Sequence, residues 1–202
     1  MSYSKDIKTY TGERFGDMDF TDETLTGCTF IKCDFRGTVF SGALLEKCRF
    51  SACAFDFARL NDTLSKNTAF ENCTFTAASL FVAEFRDCRC MGCTFSNADL
   101  TGWTVRGGAL DYCALDGAML RKQDFSGISL RGVHFSDADM EKANLCGCDL
   151  TEAVFRNTQL KGADLRRAKW NRTDIRFAKM HDTAIDLDGA VYIARCLGAV
   201  VR

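Results

Sequence analysis

Cysteine is the residue type with the most obvious capacity for chemistry in this chain: there are twelve, three of them within six positions in FRDCRCMGCTF, residues 85–95. Clustered thiols are soft metal ligands and redox partners, so their spacing decides between a metal or redox site and buried structural thiols. Only two histidines, His134 and His181, accompany them. No nucleophile–base pairing or phosphate-cradling loop is evident, so an enzyme is not expected. The formal net charge of −1 predicts no direct nucleic-acid binding and no attraction to an anionic membrane. The opening residues MSYSKDIKTYTGERF hold no apolar run suited to a secretory signal, and no later segment could span a bilayer. The expectation is a cytoplasmic protein whose cysteines stay reduced.

The elements that must position these thiols are set by a five-residue period. From Phe15 to Ile185 every fifth residue is a centre, and 33 of the 35 centres are large and apolar; Ser65 and Cys90 are the exceptions. Fourteen of the seventeen phenylalanines share this register. Neither a helix nor an ordinary strand has such a period. The chain also has no proline, so every backbone N–H is available to a regular ladder.

Two residues before each centre stands a small side chain. Between Cys28 and Thr183 this position is Ala, Cys, Thr or Gly except at Trp103, Gln123, Ile128 and Val133. Two residues after the centres sit twelve of the sixteen glycines, as tight turns with positive φ require. Nine of the twelve cysteines occupy the small inward position, and Cys33, Cys53, Cys73, Cys93 and Cys113 recur every twenty residues. They read as small buried hydrophobes in the role of alanine and threonine, with no metal site and no cofactor.

A five-residue unit that turns at each end makes one side of a square coil, so four units close a coil of twenty residues. The series 15, 35, 55, 75, 95 is phenylalanine throughout, as a stacked face requires. The expected fold is an all-β solenoid. Units such as CDFRG, ADLTG and ADLRR resemble the pentapeptide-repeat family over roughly residues 10 to 185. That resemblance implies a right-handed quadrilateral β-helix of about nine coils, stacked at roughly 4.8 Å with capped ends.

Departures from the pattern mark places to examine. Ser65, with Leu64 one place early, suggests a bulge or an irregular side. Trp103 is too large for its slot and is followed by Gly107–Gly108, so a distortion with Trp103 partly turned out is expected. Phe57, Phe81 and Phe177 are off register at outward or corner positions, where aromatics are either ordinary surface or anchors for a partner. Just before the centres, Glu84, Asp124 and Asp164 share one side, and Asp19, Asp99 and Asp139 share the adjacent one. They form a modest acidic stripe, or the acidic part of a mixed solvated surface.

The register stops after Ile185, which divides the chain into a repeat domain, 1–185, and a C-terminal segment, 186–202. Asp186 or Asp188 can cap a helix there. Its apolar stripe would include Leu187, Val191, Ala194, Ile193 and Leu197. Gly198 suits the helix stop, and Ala199–Val200–Val201 a short strand whose open edge invites a second copy. Two subunits of on the order of 40 Å each would make a rod of about 80 Å.

GERFGDMDFTDETLTGCTFIKCDFRG, FVAEFRDCRCMGCTFSNADL and IDLDGAVYIARCLGAVV are similar to the Qnr/MfpA-type branch of that family. The resemblance implies a non-enzymatic homodimer joined through Leu187, Val191, Ile193, Ala194, Leu197 and Val200. It implies a DNA-like rod that binds DNA gyrase or topoisomerase IV and relieves quinolone-type or natural-product poisons. Asp19, Glu84, Asp99, Asp124, Asp139 and Asp164 are then the candidate partner-binding residues. Plasmid-borne members carry loops between coils, whereas this unbroken register leaves no room for insertions. The alternative is a repeat scaffold with another partner.

Overall fold

The computed structural model describes residues 8–202, so residues 1–7 of the expected 1–185 domain, and with them half of the opening stretch read for a signal, lie outside the described residues. Two compact units divide after Ala109. In the first, ten three-residue strands form two parallel ladders. One runs β1 (Thr9–Thr11), β3 (Thr29–Ile31), β5 (Arg49–Ser51), β7 (Ala69–Glu71), β9 (Arg89–Met91). The other runs β2 (Thr24–Thr26), β4 (Leu44–Glu46), β6 (Leu64–Lys66), β8 (Glu84–Arg86), β10 (Thr104–Arg106). Single bridges along the remaining two sides, such as Asp34↔Ala54 and Arg59↔Ser79, complete the square. A further strand, β11 (Ala109–Asp111), begins where the first unit ends.

In the second unit all four sides are held by single parallel bridges, among them Ala114↔His134, Asp124↔Asn144 and Ser129↔Asp149. In both units the partners lie twenty residues apart, with no insertion. The fold is the expected quadrilateral β-solenoid, ending in one helix, α1 (Leu187–Cys196). Among the described residues no helix is long and apolar enough to cross a membrane.

Every fifth residue turns a corner. The twelve register glycines all have φ between 60° and 72°, and 22 non-glycine residues in the same register are also left-handed. Where the Met18 N–H donates to the Phe15 carbonyl at 3.0 Å, Asp17 is the third residue of a four-residue turn at φ 64°, the position that wants positive φ in a type II turn. The centres point inward and stack. Phe15, Phe35, Phe55, Phe75 and Phe95 lie 4.8–4.9 Å apart with rings within 8° of parallel. Each such pair adds about 0.5–1.5 kcal/mol beyond its area burial.

Two expected irregularities resolve differently. Ser65 is no bulge: it is buried in β6, in register between Leu45 and Phe85, because the inter-coil ladder sets its backbone whatever side chain it carries. Trp103 is not turned out either; it is fully buried, edge-on to Phe85 at 5.4 Å and tilted against Phe95 at 5.5 Å. Those two phenylalanines flank Cys90, the small residue at a large centre, so the oversized and undersized positions offset each other. The distortion instead sits at Gly108, an inward position with φ 78°, directly after the ordinary corner at Gly107. A Cβ on Gly108 would lie 1.9 Å from the Cys88 carbonyl oxygen, whereas one on Gly117 would meet nothing within 4 Å. Gly117→Ala should therefore cost about 1 kcal/mol, for φ alone. Gly108→Ala should cost roughly 3 kcal/mol or more, and chemical denaturation of the two variants checks the difference.

Candidate partner-binding surfaces

The thiols of FRDCRCMGCTF are interior. Cys88, Cys90 and Cys93 are all buried, and none of the twelve cysteines is in a disulfide. Seven of the nine inward cysteines meet a backbone carbonyl 23 residues earlier: Cys88 Sγ reaches Ser65 O at 3.3 Å, Cys93 reaches Phe70 O at 3.3 Å, and Cys148 reaches Phe125 O at 2.8 Å. Threonines in the same register do the same, as Thr38 Oγ1 to Phe15 O at 2.8 Å and Thr158 Oγ1 to Phe135 O at 2.6 Å. Cysteine here is a small side chain with a weak donor, interchangeable with threonine. Burial pushes the Cys48 and Cys88 thiols up to about 11 and that of Cys148 to about 12, so they are not poised as nucleophiles. Among the described residues no three His, Cys, Asp or Glu side chains converge on a metal-sized site. His134 stands exposed between Ala114 and Val154, and His181 pairs with Asp182 at 3.2 Å.

The acidic stripe divides by the residue two places on, because both flank one centre and face the same way. In the first unit Glu84 is held by Arg86 at 2.7 Å and Arg106 at 3.1 Å. In the second, Asp164 takes a bidentate pair from Arg166, Nη2 at 2.6 Å and Nε at 2.9 Å, which holds its carboxyl below the usual range. Asp34–Arg36 and Asp174–Arg176 repeat the motif, and Arg36 brings Asp34 to about 2. Asp139 has Glu141 two places on but is reached by Arg121 from the coil before, at 3.0 Å. Asp19, Asp99 and Asp124 instead have Thr21, Thr101 and Ser126 at that place and accept their backbone N–H groups at 2.8–3.0 Å. Among the described residues these three have no ion pair. The pattern acid–centre–arginine is visible in DFR, EFR, DLR and DIR, and it is the signal that assigning acids to sides overlooked.

At the C-terminus Asp186 is the helix cap; its side chain accepts from the Gly189 N–H at 2.9 Å. The helix ends as expected at Gly198, φ 90°, whose N–H donates to Arg195 O while Ala199 donates to Ala194 O, a Schellman motif. The residues that seat the helix were not on the expected stripe. Gly189 packs beside Trp170, Tyr192 stacks on Trp170 at 5.5 Å, and the Tyr192 hydroxyl donates to Thr173 O at 3.1 Å. Tryptophan at centre 170, the one indole among the centres, was their one sequence signal. Leu187, Leu197 and Val200 are 78%, 67% and 81% exposed, while Val191, Ile193 and Ala194 are half-buried. The expected strand at Ala199–Val200–Val201 does not form; a strand needs a hydrogen-bonded neighbour, and among the described residues this edge has none.

Comparison with known proteins follows the same lines. The family model described as pentapeptide repeat region matches residues 23–100, and that described as pentapeptide repeats (8 copies) matches 113–152 and 153–190. No curated protein matches the sequence. Among solved structures, trypsin-treated QnrB1, a plasmid-mediated fluoroquinolone resistance protein, superposes with a TM-score of 0.84 at 24% identity, covering 97% of this chain and 98% of that one. Full-length QnrB1 gives 0.79 at 22% identity over 95% and 100% of the chains. HetL, a pentapeptide repeat protein involved in heterocyst differentiation regulation from the cyanobacterium Nostoc sp. strain PCC 7120, gives 0.59 at 16% over 87% and 86%.

The buried thiols make stability depend on alkaline pH. Their folded pKa values lie above the ordinary 9.0, so their contribution is complete below pH 9 and is lost as pH rises toward 11–12. At pH 10 the loss should be about 1 kcal/mol per thiol. A Cys48→Thr/Cys88→Thr/Cys148→Thr variant keeps the donors, and its melting temperature should fall less than that of wild type between pH 8 and pH 10.

Proposed function

The chain belongs to the pentapeptide-repeat family, and from that premise we propose that it is a DNA-mimicking protein that binds DNA gyrase or topoisomerase IV and protects it from quinolone-type or natural-product poisons. The observation that carries this reading is the end-to-end likeness to a fluoroquinolone resistance protein, C-terminal helix included. The protein acts by occupancy. Its rigid faces repeat at the strand spacing of about 4.8 Å, and carboxylates on them meet the basic surface that would otherwise hold DNA. Asp19, Asp99 and Asp124 are the stripe residues with charge to spare for that contact. Asp164, Glu84 and Asp139 are largely neutralised by their own arginines and contribute less.

A homodimer completes the molecule. Exposed Leu187, Leu197 and Val200 cover one another across a two-fold axis, with Val191, Ile193 and Ala194 at the margin, and the Ala199–Val201 segment gains a strand partner there. The protein works in the cytoplasm, beside its target, and needs no cofactor. A second reading, a scaffold for a different partner, is favoured by one observation, the number of acids paired internally.

Titrating the purified protein into gyrase supercoiling and quinolone-induced cleavage assays separates the two. Relief of drug-stabilised cleavage is expected; no effect from a folded dimer would leave the scaffold reading. Asp99→Asn and Asp124→Asn should each weaken protection about threefold to tenfold, and Asp164→Asn less than twofold, since rim charges act mainly through long-range attraction. Leu187→Glu with Val200→Glu should give a monomer by sedimentation without lowering the melting temperature of the coils by more than a few degrees.

A further inference from the structure

The second unit is electrically lopsided along its coils. Residues 110–151 carry four basic and seven acidic side chains, a net of −3, whereas residues 152–202 carry ten basic and six acidic, a net of +4. Parallel bridges twenty residues apart stack these coils in chain order, so the basic excess lies at the end that the helix caps. Internal pairing does not remove it. Arg166, Arg172 and Arg176 are held by Asp164, Glu152 and Asp174. Arg156, Lys161, Arg167, Lys169, Lys179 and Arg195 are exposed and, among the described residues, make no ion pair. Of the acids, Asp182 pairs with His181 and Asp186 caps the helix.

The same end carries exposed apolar surface, at Leu187, Leu197 and Val200. A two-fold contact sets a patch against its own copy, so a dimer that covers these side chains also brings one +4 end against another. One helix about 10 Å across lies on each end, and two back to back hold the last coils about 20 Å apart. Charges at that separation repel through water where the Debye length is about 30 Å, at 0.01 M salt. They are screened where it is about 8 Å, at 0.15 M. Attraction and repulsion thus share one end of the molecule, and salt acts mainly on the repulsion.

We propose that the basic C-terminal end is an electrostatic brake on self-association: two copies join tightly there where anions screen the repulsion, and loosen in dilute salt. The proposal rests on the homodimer reading. Sedimentation equilibrium of the full chain in sodium chloride should give a dissociation constant about tenfold larger at 0.01 M than at 0.15 M. Lys161→Gln/Lys179→Gln removes two exposed charges that lie on the coils, outside the helix, and halves the net charge of the end. Repulsion scales with the product of the two charges, so the variant's constant should change less than about twofold over the same range. An unchanged melting temperature shows that the variant keeps its fold. Salting-out of apolar surface acts on both proteins alike, so an equal response of the two overturns the brake. A wild-type dimer that is indifferent to salt, or weakens as salt rises, overturns it too and leaves the homodimer reading intact. A monomer at every salt concentration fails the homodimer reading and overturns the brake with it.

Discussion

Each coil is tied to the next by backbone hydrogen bonds such as Phe35 N–H to Ala54 O at 2.7 Å and Asp34 N–H to Glu13 O at 2.9 Å, and these form only if the chain closes its square every twenty residues. Closure demands a corner at every fifth residue, and the corner demands positive φ. That demand is imposed even where the residue resists it: Phe57, Val82 and Tyr112 turn corners with φ of 57–61°. A left-handed non-glycine residue costs about 1–2 kcal/mol. The stacked phenylalanines and the unbroken ladder offset that cost collectively, as in any solenoid where stability accrues between neighbours. One inserted residue would move every later centre out of the core.

The interior is consequently governed by volume and by one polar rule. Small inward positions accept cysteine, alanine or threonine because the slot needs little bulk, and a thiol or hydroxyl there finds the carbonyl 23 residues earlier. Around Trp103 the rule bends without breaking. The indole occupies the interior between Phe85 and Phe95, Cys90 leaves the flanked centre small, and Gly108 brings the backbone against Cys88. The pattern flagged Trp103 and the Gly107–Gly108 pair together as one distortion. How each is accommodated depends on which coil lies beneath, which linear spacing does not specify.

Function in such a molecule belongs to the surface, where the repeat is permissive. Arginine two places after an acid takes its charge inward, whereas threonine or serine there leaves the charge facing solvent. A stripe that looks continuous when acids alone are counted is therefore a few available carboxylates among neutralised ones. The same permissiveness allows Phe81 and Val82 in rows that are otherwise small and polar.

By itself the sequence determined the solenoid, its twenty-residue coil, the inward phenylalanines, the burial of nine register cysteines and the helix stop at Gly198, because each follows from side-chain size at a fixed period. Tertiary structure decided the rest. The ladder kept Ser65 in register although its side chain suggested a bulge, and packing drew Trp103 inside although its size suggested exposure. Gly189 and Tyr192, not the apolar stripe, seat the terminal helix, since Trp170 is brought beneath them only when the last coil closes. The Ala199–Val201 segment has strand-forming residues and no strand, because pairing requires a neighbour that this single chain does not place there.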